Sequence, residues 1–122
     1  MNKLVTPADV ENKLISLSRE LDEAHKQLES AENDYGKAKP DWDLEVAKTR
    51  FSVRARSNES GRKMTVQEIE DEALILCELE YVAFCKADAL VKVARANVNR
   101  IKVQIDIARS VGTAVRAAME MA

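Results

Sequence analysis

Apolar residues recur along the first third of the chain at Val10, Leu14, Leu17, Leu21, Ala24, Leu28, Ala31, Tyr35 and Ala38. Steps of four and three alternate throughout, which is a heptad seam on one face of a helix. The segment opens on "TPADVENKL". Thr6 is placed to cap and Pro7 suits the first helical turn. Asp9 completes a box-like pattern and faces the positive end of the helix dipole. Near Gly36 and Pro40 the seam weakens. Proline lacks a donor and crowds the preceding turn, so the pattern predicts a kink or restart over 36–41. Helix then resumes through "DWDLEVAKTRFSVRAR", which puts the first helix over about 7–56.

"SNESG" reads as a loop, extending over about 57–65. Thr65 and Glu68 form a second capping box, "TVQE". From Val66 onward only Gly112 interrupts a helical pattern, so a second helix is predicted over about 66–120. Its later part repeats Ala87, Val91, Ala94, Val98, Ile101, Ile105, Ala108, Gly112, Val115 and Met119, again in steps of four and three. The fold these patterns predict is all-α. It is an elongated hairpin of two long helices in a single domain, with a bend between them.

The second helix carries another apolar strip, Val103, Ile107, Val111 and Ala114, on the side away from its seam. One partner helix covers one seam and leaves the other bare. The strip therefore predicts self-association through coiled-coil-like helices into a homo-oligomeric bundle or ring. A local alternative is a strand, since "IKVQIDI" alternates apolar and polar residues with period two. No turn signal flanks it and no second strand is evident.

Charge changes the picture at the bend. The chain carries a net −2, but in blocks: −4 over residues 1–48, +4 over 49–63, −6 over 64–81 and +4 over 82–122. The densest basic block is "RFSVRARSNESGRK", with Arg50, Arg54, Arg56, Arg62 and Lys63 against the single acid Glu59. Such a patch suits a phosphate backbone, which needs charge rather than base-specific geometry. The competing reading is structural. Arginines near a helix C-terminus complement its dipole, and Glu68, Glu70, Asp71 and Glu72 are near enough in sequence to pair with the loop. A second basic stripe, Arg95, Lys102, Arg109 and Arg116, repeats every seven residues. It reads as coiled-coil flanking charge facing Glu11, Glu20, Glu32 or Asp34, with a phosphate track as the alternative.

Other chemistry is sparse. Trp42 and Tyr35 at helical spacing read as core aromatics. His25 has no nucleophile or ligand partner at useful spacing, and the acids of 68–72 sit where a helix N-terminus favours them. Cys77 and Cys85, eight residues apart on one predicted helix, are too far apart to bridge. They read as packed free thiols of a reducing cytoplasm. There is no phosphate-cradling glycine loop, no membrane-length apolar run and no export signal. The expectation is a cytoplasmic, non-enzymatic protein with no cofactor, no metal and no membrane partner.

At "VRARSNESGR" the order of parts resembles the recombination mediator proteins of T-even phages, the UvsY type. Arg54, Ala55 and Arg56 match a basic helix motif in which Lys usually stands first. Ser60, Gly61 and Arg62 match a Ser-Gly-Arg turn, and 66–122 matches a long C-terminal helix with a Gly- and Ala-containing end. Ser57 stands where a Leu would follow the motif. The resemblance implies that the basic motif binds single-stranded DNA and that the C-terminal helices build a ring-like homo-oligomer. It also implies loading of a RecA-like recombinase by displacing a single-strand-binding protein in the bacterial host cell. The other class of function is a phage structural protein, an assembly chaperone or a host-protein-binding coiled-coil protein.

Overall fold

The computed structural model describes residues 5–121, and every element among them is α-helical. Helix α1 spans Pro7–Ser60, α2 spans Val66–Leu76 and α3 spans Glu78–Met121. Two long helices are thus joined through a short one. The "IKVQIDI" segment is helical within α3, so the strand alternative does not hold. A period-two pattern of seven residues yields to the longer 3.6-residue pattern around it. Among the described residues no helix is long and apolar enough to cross a membrane.

The contacts divide the chain into two compact units. One joins the chain up to Ser30 with Lys92 onward, and the other is the continuous stretch Ala31–Val91. The core of the first unit is Leu17, Ala24, Val98, Ile101 and Ile105, with Leu14, Leu21, Leu28 and Ala108 packed against it. These are the seam positions of α1 interleaved with those of α3, running antiparallel. Toward the end of this pairing Gly112 meets Val10 so closely that a Cβ at position 112 would stand 3.0 Å from Val10 Cγ1. Glycine lets the two helices approach closely there, and any larger residue would press on the Val10 side chain. Met119, the last seam position read from the sequence, is exposed.

In the second unit α1 packs against α2 and the start of α3. Val46, Val53, Ile69, Ala73, Cys77, Ala87 and Val91 are buried. Trp42 lies against Tyr81 and Phe84 at ring-centroid distances of 5.1 and 6.3 Å, and Tyr35 against Phe84 at 5.8 Å. Both aromatics are committed to packing.

Two boundaries differ from those the sequence pattern predicts. Helix α1 continues through Pro40 and ends at Ser60 rather than 56, so the loop is 61–65 rather than 57–65. The extra turn is held by hydroxyls that sequence reasoning assigns to a loop. Buried Ser57 donates from Oγ to the Arg62 carbonyl, and Ser60 Oγ donates to the Ser57 carbonyl at 3.1 Å. Gly61, at φ +71°, then terminates the helix in a backbone region that side chains disfavour. The expected single second helix is instead two, broken at Cys77. The Cys77 amide is shared between the Ala73 and Leu74 carbonyls at 3.0 and 3.2 Å, and the residue leaves helical geometry for one step.

The thiols follow from that break. Cys77 is buried, donating to Thr49 Oγ1 at 3.1 Å, and Thr49 in turn donates to the Glu45 carbonyl at 2.8 Å. Cys85 is free and exposed, not packed as the sequence reading expects.

Candidate nucleic-acid interface

The bend lies within the second unit. Thr65 caps α2, its hydroxyl accepting from the Glu68 amide at 3.1 Å, so the loop enters α2 in a fixed direction. The Ser57–Arg62 hydrogen bond fixes the other side. Around these two anchors Arg54, Asn58, Gly61, Arg62 and Lys63 line one open groove of about 580 Å³ together with Ser57, Met64, Val66 and Ile69.

The five basic residues do not share one environment. Arg54, Arg62 and Lys63 line that groove, are exposed, and have no ion-pair partner among the described residues. Arg56 points instead to Glu72, with Nη2 and Oε1 4.0 Å apart and both side chains well solvated. At that distance and exposure the pair holds Arg56 only weakly. Arg50 lines a separate groove with Trp42, Gln67, Glu70 and Asp71, beside acids. The patch read as a single block thus becomes a basic groove of three, one loosely paired arginine and one acid-neighboured arginine.

The longer α1 also bears on the dipole reading. No basic residue lies in the last turn of α1, since Arg54 and Arg56 precede it. The dipole effect falls off within that turn, so helix-end compensation gives little reason for these two charges.

Sequence reasoning missed Phe51. It is 73% exposed, one turn before Arg54 on α1. A large apolar ring left in water beside basic residues is a platform on which a nucleobase can stack. The signal was present in "RFSVRAR", because 51 falls off the α1 seam that runs through Val46, Thr49 and Val53. In the second basic stripe, Lys102, Arg109 and Arg116 are exposed and without an ion-pair partner among the described residues, while Arg95 has an interaction of its own.

The strip assigned to self-association is bare. Val103 is 56% exposed and Ile107 58%, and Val111 and Ala114 are exposed as well. Beside it Ile107, Ala108 and Val111 form an apolar groove of about 310 Å³ with Val5 and Val10 at the start of α1.

Fold and site together define an all-α protein of two long helices and a short one, with a basic groove where α1 meets α2. No protein-family model matches the chain, and no curated protein or solved structure shows significant similarity to it.

Proposed function

We propose that this chain is a non-enzymatic, single-stranded DNA-binding protein of the recombination-mediator kind, working as a homo-oligomer. The observation that carries this reading is the groove in which Arg54, Arg62 and Lys63 stand without carboxylate partners, with Phe51 exposed one turn away. Charge and an exposed ring are the two components of sequence-tolerant binding to single strands. Several weak grooves in one oligomer then act as a tight polyvalent surface. The basic helix, Ser60-Gly61-Arg62 turn and long α3, in that order, support the further step of loading a RecA-like recombinase against a single-strand-binding protein.

The test is salt-titrated binding to single-stranded oligonucleotides. Each neutralised phosphate contributes about 0.7 to the slope of log affinity against log salt on single strands. Arg54→Ala with Arg62→Ala is expected to flatten that slope by about 1.4. Phe51→Ala is expected to weaken binding by about 1–3 kcal/mol while leaving the slope unchanged, because stacking releases no counterions. Wild-type protein that fails to bind at low salt, or a double variant that binds as well as wild type at every salt, defeats the reading.

The bare apolar strip on α3 favours a second reading, a structural or assembly protein whose business is helix pairing. In that case the oligonucleotide assay is blank and the helix surface carries the function.

A further inference from the structure

The exposed face of α3 in the first unit has an order that the four residues of the strip do not reveal by themselves. Counted from Ile107, Val103 and Val111 lie four residues away on either side. Arg100 and Ala114 lie seven away, Ala96 and Ala118 eleven, and Val93 and Met121 fourteen. The spacing reads the same in both directions. Every one of these residues is exposed, Val93 at 67% and Met121 at 90%. At 100° per residue they form one stripe, roughly 140° around the helix from the seam that α1 covers.

A stripe palindromic about one residue matches itself under a two-fold axis. We propose that α3 pairs antiparallel with α3 of a second copy of this chain, with Ile107 on the axis. Val103 then meets Val111, Ala96 meets Ala118 and Val93 meets Met121. The one polar member of the stripe, Arg100, falls opposite Ala114. A large side chain over a small one leaves room for its stem, and its guanidinium is already drawn to Asn97 Oδ1 at 2.8 Å.

Charge selects this direction over the parallel one. Parallel in-register pairing stacks Arg100 on Arg100 in a partly dehydrated seam, which repels. Antiparallel pairing separates the two Arg100 side chains. The opposed helix dipoles add in the same sense. The apolar groove formed by Val5, Val10, Ile107 and Val111 lies beside the axis, so the start of α1 extends the contact. A two-fold contact of this kind is self-complementary and closed, and it stands whether or not the protein binds DNA.

Disulfide trapping in a Cys85→Ser background tests it, because residue 107 meets itself only at an axis. Ile107→Cys is expected to give a covalent dimer on treatment with diamide. Met121→Cys alone is expected to stay monomeric in denaturing gels, since two such residues lie roughly 42 Å apart along the pair. A mixture of Val93→Cys and Met121→Cys chains is expected to link. Sedimentation of the wild type should show twice the 13.6 kDa chain mass or a multiple of it, and Ile107→Lys should return a helical monomer. Self-linking through Met121→Cys, or a wild-type monomer at tens of micromolar, overturns the proposal.

Discussion

Asp9 accepts a hydrogen bond from the Thr6 amide at 3.0 Å, and its own amide donates to Thr6 Oγ1 at 3.2 Å. The backbone contact first, and the hydroxyl second, hold the Asp9 carboxyl below the ordinary 3.8. A carboxylate favoured by folding lends stability that is complete above its unfolded value and is lost as pH falls through the lower, folded one. Thermal melts of wild type and Asp9→Asn should therefore differ at neutral pH and converge once the solution is acid enough to protonate Asp9 in the folded protein. A gap that persists below that range contradicts the capping role. Gly112 offers a second residue-scale test. With Val10 Cγ1 at 3.0 Å from where a Cβ would stand, Gly112→Leu overpacks the contact and should cost about 1–3 kcal/mol in denaturant melts. An unchanged midpoint would mean the helices separate there without penalty.

At the scale of elements, α1 runs unbroken across Pro40. Proline in a helix interior lacks the donor for the carbonyl four residues back and crowds it. Pro40 is exposed, so Pro40→Ala alters little packing and should stabilise the protein by about 1–3 kcal/mol. A lower melting temperature instead would show that the second unit needs the local deviation proline imposes. The same stretch shows what could and could not be read from sequence. The seams of α1 from Val10 to Ala38 and of α3 from Ala87 to Val115 are buried or half-buried at every position named, because apolar repeats report burial directly. Beyond Ala38 the α1 seam keeps its phase through Trp42, Val46, Thr49, Val53 and Ser57, two of which are polar. Thr49 is hydrogen-bonded to Cys77, 28 residues on, and Ser57 to the Arg62 carbonyl, five residues on, and apolar periodicity announces neither. The break at Cys77 is hidden for the same reason, since "LILCELEY" contains no helix breaker. At the bend the basic residues were legible as a block. Their division among two grooves and a weak pair depends on how α2 turns back on α1, which charge counting does not give.

At the scale of the molecule, the basic groove and the apolar stripe belong to different units of the chain. The basic groove belongs to the second unit and the palindromic face of α3 to the first. Variants at one are expected to leave the other's assay untouched. Arg54→Ala with Arg62→Ala should sediment as wild type does, and Ile107→Lys should retain single-site DNA contacts while losing whatever avidity pairing supplies. Loss of oligomer in the arginine variant would show that the two surfaces are coupled.

The way the two units share the chain also bears on how the protein is made. Ala31–Val91 is one uninterrupted stretch, whereas the other unit joins the two ends of the chain. A ribosome that has released residue 91 has supplied everything the continuous unit requires. The discontinuous unit has to wait for the last thirty or so residues. Joining its halves across an unfolded intervening segment costs roughly 3–4 kcal/mol of loop entropy. Once Ala31–Val91 has folded, most of that cost has already been met, because the intervening chain is ordered. The order of synthesis therefore coincides with the order of least entropic resistance. The exposed face of α3 is made after the continuous unit, together with the seam that α1 must cover.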